Sequence, residues 1–378
     1  MEFGWSEEQA AFREAVRAFT EDRLPEGWAS RVPGDEPYSD LTLSFCRDLA
    51  KQGWFAPHWP KEYGGGGDPD PWRFAILGEE LWSKGEPRGS QYMNVNWIGP
   101  AIIAAGTEEQ KARFIGGMAA GEMLWCQGFS EPEAGSDLAS MKTFAVRDGD
   151  DYVINGVKIW TSYAKKADYC FLLARTDLQT DGGGGVSIFL VPTSTPGFKI
   201  EVVPTMLDIH VVHRLTFADM RVPAALRLGE ENAGWTIIRE ALSDERVGTP
   251  RNVRAAALLD EVIRKAVSAG EIDDVTLSDA AMAYAACQAA RVITYKIRQA
   301  RGSGGAGAEA YVARGAIVNA ERAVANVATT VSGAAGLESG TLADGEFRTA
   351  LIAGLGGGSY EMQLNLIARL WLNLPKAA

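Results

Sequence analysis

The chain has few of the residues that build metal and disulfide sites. Its 378 residues include four cysteines and three histidines. Cys46, Cys126, Cys170 and Cys287 are scattered, with neither CxxC nor metal-ligand spacing, so no disulfide framework or zinc site is expected. His58 reads as structural in its Pro-His-Trp-Pro setting. His210 and His213 are spaced for one face of a helical turn, but no further ligands accompany them. No run approaches the roughly 18 apolar residues that cross a bilayer. Met1 to Ala10 is acidic and lacks a basic start followed by an apolar stretch, so no signal peptide is expected. These absences describe a reduced, cytosolic, soluble protein. Positive charge is also short: 37 Lys and Arg against 49 Asp and Glu give a net charge of −12. That balance excludes nucleic acid as a partner, and any polyanionic ligand would need a locally basic site.

Apolar residues, at 46%, are plentiful, and a chain of this length divides into two or three domains. Up to about residue 120 the periodicity predicts helices at Glu7–Glu21, Leu41–Gln52, Trp72–Leu81, Ile98–Ala105 and Glu108–Ala119, separated by Gly, Pro and Asp clusters. From Leu124 to Leu228 the texture is β-like. Asn155-Gly156 reads as a hairpin turn within Tyr152–Ile159. Tyr169–Ala174 and Val186–Pro192 read as strands, and Gly182–Gly185 as a flexible loop tip. Beyond Trp235 helical periodicity returns in long alanine-rich segments, such as Ala280–Ala300 and Ala308–Ala335. An α+β protein follows, with an N-terminal helical domain (1–121), a middle antiparallel β-domain (122–232) and a C-terminal four-helix bundle (233–378).

Two segments carry the chemistry. Trp125-Cys126-Gln127-Gly128-Phe129-Ser130-Glu131-Pro132-Glu133-Ala134-Gly135-Ser136-Asp137 mixes glycine with small and hydroxylic residues, which let backbone amides approach a flat polar ligand. Lys158-Ile159-Trp160-Thr161-Ser162 places an indole where it could cover such a ring. In this order and spacing they resemble the flavin-embracing middle domain of the acyl-CoA dehydrogenase family. The resemblance extends to Gly53–Gly65, to Gly106-Thr107-Glu108-Glu109-Gln110-Lys111 and to Gly356-Gly357-Gly358-Ser359-Tyr360-Glu361.

The resemblance implies FAD, an acyl-CoA substrate, and an electron acceptor such as an electron-transfer flavoprotein. It places Gln127, Phe129 and Ser130 on the face and pyrimidine edge of the isoalloxazine, and Trp160 and Ser162 on the other side. Ser359 and Glu361 fall near the adenosine half, while Ser136 and Arg246 fall on the coenzyme A substrate. Read without the family, Trp160 could be a core tryptophan, one of 11, and Ser130 and Ser136 could be turn or cap residues.

The family's reaction needs a carboxylate base in a dry pocket. In much of the family that base lies in a C-terminal Tyr-Glu-Gly-Thr segment, where this chain has Gly357. A minority carries it on an earlier helix, and here the matching stretch is Ala241-Leu242-Ser243-Asp244-Glu245-Arg246-Val247. Ile238, Leu242, Glu245, Thr249 and Val253 are spaced for one helical face, so Glu245 is the ionisable member of an apolar stripe. Desolvation there would raise its pKa toward that of a base at neutral pH. The alternative is an ordinary helix salt bridge with Arg246 or Arg251.

Two family features are missing. The Arg-x-x-Phe-Gly whose arginine reaches a neighbouring subunit's flavin pyrophosphate is replaced by an acidic stretch containing Asp273 and Asp274. The Gln-x-x-Gly-Gly beside the adenosine half reads Thr330-Val331-Ser332-Gly333-Ala334. A pyrophosphate facing aspartates is unfavourable. A paralogous partner chain that donates the arginine would resolve the contradiction. The competing readings are a homo-oligomer with altered flavin binding, a related flavin oxidase or monooxygenase, and a catalytically silent subunit that completes a paralogue's site.

Overall fold

Helix starts follow from side chains that satisfy the otherwise unpaired first-turn amides. In a computed structural model, which describes residues 4–26, 28, 40–180, 182–207, 211–239, 250–301 and 309–375, Ser6 and Gln9 form a capping box on α1 (Glu7–Arg23). Asp70 caps α3 (Pro71–Ser83), whose first residue is proline. Thr107 and Gln110 form a second box on α6 (Glu108–Ala119). Between them lie α2 (Asp40–Lys51), α4 (Gln91–Met93), a π-helical turn (Asn94–Ile98) and α5 (Gly99–Ala105). Helical structure therefore begins at Gln91, ahead of the expected Ile98. The Gly and Asn residues of 89–99 obscured the periodicity.

The chain forms two compact units. One holds α1, α3 and the C-terminal helices: α7 (Arg251–Ala269), α8 (Asp274–Arg301), α9 (Glu309–Ser332), α10 (Leu342–Ala353) and α11 (Tyr360–Leu370). Helix α9 packs against α7, α8, α10 and α11. Small residues at the contacts, including Ala255, Ala280, Ala283 and Ala320, let the backbones approach. Glu79 of α3 ties this unit together, bonding Arg13, Arg291 and the Tyr295 hydroxyl. No described helix is long and apolar enough to cross a membrane.

The other unit holds α2, α4–α6 and an eight-stranded sheet: β1 (Trp125–Gly128), β2 (Phe144–Asp148), β3 (Asp151–Ser162), β4 (Tyr169–Arg175), β5 (Val186–Pro192), β6 (Phe198–Val202), β7 (Val212–Pro223) and β8 (Arg227–Leu228). The order is β6-β7-β3-β2-β4-β5-β8, with β1 beside β4. Most pairs are antiparallel, but β1 runs parallel to β4, so the sheet is mixed where purely antiparallel pairing was expected. Trp125 stacks on Tyr169 with centroids 4.9 Å apart, and Phe114 of α6 meets both edge-on. The core therefore sits between α6 and the β1–β4 face.

Three local expectations are corrected. Asn155-Gly156 is not a hairpin turn, because β3 runs unbroken through it. The turn is Gly149-Asp150, between the paired Asp148 and Asp151, with Gly149 at φ +63°. Gly156, at φ +148°, is required because a Cβ there would come within 2.4 Å of Thr143 Oγ1. His213 lies in strand β7, not on a helical turn, and His210 falls outside the described residues. The tip at Gly182–Gly185 is not free-standing, since Arg175 donates to the carbonyls of Gly182 and Gly184.

Candidate active site

The two motif segments meet in the β-sheet unit. Along β3 the inward positions are Tyr152, Ile154 and Lys158, so a lysine occupies a position whose parity calls for an apolar residue. Its ammonium is fully buried and bonds Glu131 Oε1 at 2.8 Å and the Phe129 carbonyl at 2.9 Å. Glu131 in turn accepts the backbone N–H groups of Lys142 and Thr143, at 2.7 and 2.9 Å. Burial opposes its charge, but Lys158 and these donors hold the Glu131 carboxyl below its ordinary value. The Ser130 carbonyl accepts Ile159 N–H at 2.9 Å. The turn after β1 is thus locked to β3 immediately before Trp160.

Trp160 follows at a β-bulge between Lys158 and Thr161, with φ +61°. One extra residue on β3 re-aims its side chain, leaving the indole 58% exposed. It is not a core tryptophan. Tyr163 also has positive φ (+62°), and its N–H bonds the Val211 carbonyl. Held left-handed conformations in bulky residues cluster at functional sites. His213 anchors the stretch between them, with Nδ1 3.3 Å from the Thr161 carbonyl, and burial lowers its pKa.

Gln127 is half-buried on β1, and its Oε1 accepts Trp97 Nε1 at 2.9 Å. That leaves its Nε2 donor free. Ser130 and Ser162 are half-buried, and among the described residues their hydroxyls have no hydrogen-bond partner. Phe129 is buried, 7% exposed, beside Phe171. An exposed indole, free amide and hydroxyl donors and a rigid turn fit a planar heterocycle with a polar edge. Ser136 is exposed, in the loop that follows. Among the described residues no group of three or more His, Cys, Asp or Glu side chains could hold a metal.

Models of the acyl-CoA dehydrogenase N-terminal, middle and C-terminal domains match residues 6–122, 126–220 and 232–372. The acyl-CoA dehydrogenase FadE26 of Mycobacterium tuberculosis is 33% identical over 372 residues, covering 92% of each chain. The chain belongs to the acyl-CoA dehydrogenase family. It is accordingly an FAD-dependent oxidoreductase of acyl-CoA thioesters. Among solved structures it is similar to a chain of the Tcur3481-Tcur3483 steroid ACAD (TM-score 0.91, 31% identity, all of both chains). A chain of the ChsE4-ChsE5 complex from Mycobacterium tuberculosis also matches, with TM-score 0.87 and 30% identity over all of both chains.

In the C-terminal unit Gly357 has φ +69°, a conformation that glutamate would adopt only with strain. Ser359 caps α11 by accepting Met362 N–H at 3.3 Å, and Glu361 is exposed in the first turn. Asp273 accepts Thr276 N–H at 2.7 Å at the start of α8, and that bond holds its carboxyl below the usual value. Glu245 and Arg246 lie outside the described residues. Their expected stripe is interrupted: Pro250, at ψ +59°, is not helical, so Val253 belongs to α7 and Ile238–Val253 is not one continuous face. Arg251 is ion-paired to Glu321 at 2.7 Å.

The sequence reading passed over Lys158, Glu131 and Trp97. The readable signal for the first was parity: a lysine on the inward face of a strand needs a buried partner.

Proposed function

We propose that this chain is the flavin- and base-bearing subunit of a dehydrogenase that introduces an α,β double bond into an acyl-CoA thioester. The observation that carries this reading is the locked turn at Phe129–Ser130 beside the exposed Trp160, with free donors at Gln127, Ser130 and Ser162. FAD, when bound, supplies the hydride acceptor. Gln127 Nε2 and the two serine hydroxyls hold its polar edge, Phe129 and Trp160 flank its ring, and Ser359 and Glu361 serve the adenosine half. Ser136 and Arg246 bind the coenzyme A portion, and Glu245 removes the proton next to the thioester carbonyl.

The acyl group is bulky or branched, with sterol-derived side chains as the leading class. The steroid ACAD similarity and the three glycines at 356–358 support it. The reducing equivalents leave to an acceptor such as an electron-transfer flavoprotein.

The functional assembly contains a paralogous subunit. Asp273 is an anionic cap where the family has its trans-acting arginine, so a neighbour identical to this chain would set negative charge against the flavin diphosphate. Helices α10 and α11, the turn between them and the residues that follow expose Phe347, Leu351, Leu355, Leu364, Leu370 and Trp371, an apolar surface suited to a subunit contact. Two similar solved structures are named as two-component assemblies. Expressing the chain alone and with a separately encoded paralogue, then measuring flavin per chain and assembly mass, tests this. Flavin retention only in the mixed assembly is expected. A fully loaded, active homo-oligomer would refute the partner.

A further inference from the structure

Strand β7 turns His213, Leu215 and Phe217 to its buried face, so an imidazole occupies a position whose parity calls for an apolar residue. The ring is 2% exposed. Strand pairing sets it beside the bulge that carries Trp160. Lys158 lies opposite Leu215 and Thr161 opposite His213, so Ile159 and Trp160 together face the single residue Arg214. Two buried ionisable side chains therefore bracket the bulge. Lys158 precedes it, anchored by Glu131, and His213 faces the residue that follows it.

A tryptophan at φ +61° is unfavourable and persists only where its surroundings over-determine it. On the near side Ile159 N–H bonds the Ser130 carbonyl at 2.9 Å. On the far side His213 Nδ1 stands 3.3 Å from the Thr161 carbonyl, and Tyr163 N–H reaches the Val211 carbonyl at 2.6 Å. A carbonyl only accepts, so Nδ1 carries the ring proton. Burial, with the nearby Lys165 ammonium, holds the ring's pKa below its ordinary value of 6.5 and keeps the imidazole neutral at neutral pH. One N–H is thus directed at the backbone immediately after Trp160. We propose that His213 is a positioning residue of the flavin site, whose hydrogen bond to the Thr161 carbonyl holds the bulge that aims the Trp160 indole at the flavin ring. This rests on the flavin assignment of Trp160 above and adds to that site a residue outside both motif segments.

The test is a double-mutant cycle on the flavin-loaded, partnered enzyme, reading the FAD dissociation constant, the visible circular dichroism of the bound flavin and Tm. His213→Leu should weaken FAD binding by about 3- to 10-fold, the worth of one net hydrogen bond, and alter the flavin dichroism. Because leucine suits the inward face of a strand, Tm should fall by no more than about 4 °C. His213→Asn, whose amide N–H stands near the place of Nδ1, should behave as wild type. In a Trp160→Gly background, where glycine takes the left-handed conformation without a clamp, His213→Leu should shift the FAD dissociation constant by less than about 2-fold. An unchanged dissociation constant in His213→Leu alone, the same shift in both backgrounds, or an asparagine variant no better than the leucine one would overturn the inference. A larger fall in Tm would mark the imidazole as a support of the sheet alone and would also overturn it. FAD binding and dichroism unaltered by Trp160→Gly itself would refute the flavin assignment of Trp160 and this inference with it.

Discussion

Lys158 Nζ lies 2.8 Å from Glu131 Oε1 inside the β-sheet unit, and neither side chain is more than 6% exposed. The lysine comes from the motif carrying Trp160 and the glutamate from the motif carrying Phe129 and Ser130. The ion pair is thus the physical link between two segments that sequence reading could only place side by side. Buried pairs need further hydrogen bonds to offset desolvation, and this one has them from Phe129, Lys142 and Thr143.

Removing one partner should be costly. Lys158→Met leaves Glu131 buried beside an apolar side chain, and a loss of about 3–5 kcal/mol is expected in urea unfolding. Flavin retention should fall with it, since the Phe129 carbonyl loses its anchor. A change below about 0.5 kcal/mol, the range of ordinary surface substitutions, would show that the pair does not organise the turn.

Glu79 gives a pH signature in the helical unit. Burial alone would raise its carboxyl, but bonds from Arg291, Tyr295 and Arg13 hold it below the ordinary value of 4.5. Because the folded-state pKa is depressed, the stabilisation is fully present above 4.5 and is lost as pH falls through the folded pKa. Glu79→Gln should therefore be clearly less stable than wild type at neutral pH, and the gap should narrow as the medium is acidified below that value. A gap independent of pH would assign the effect to packing.

The helical segments and the α–β–α order were legible because apolar periodicity and the Gly, Pro and Asp clusters that interrupt it are local. The flavin motif was legible because it is contiguous. The Asn155-Gly156 hairpin was misread because Asn-Gly normally marks a turn. Here the glycine instead answers a close approach by Thr143, and Asn155 bonds Asp219 across the sheet. Such contacts join residues 13 and 64 positions apart in the chain, which no local pattern records. The Glu245 stripe assumed helical continuity to Val253, and Pro250 is the residue that should have ended it.

Trp160 separates function from stability. Its indole is 58% exposed and its backbone is left-handed, so Trp160→Gly removes little packing and relieves an unfavourable φ. Unfolding free energy should stay within about 1 kcal/mol of wild type, while the bound-flavin spectrum and turnover change. A large stability loss with an unaltered flavin spectrum would return Trp160 to a structural role.

The central claim is that Glu245 takes the substrate proton at a flavin held by the Phe129–Trp160 site. Anaerobic mixing of the flavin-loaded assembly with an acyl-CoA, followed by the loss of oxidised-flavin absorbance, measures that step. Wild type should bleach, and Glu245→Gln should keep flavin and bind the acyl-CoA yet bleach at least about 100-fold more slowly. Bleaching of the variant at the wild-type rate would contradict the account.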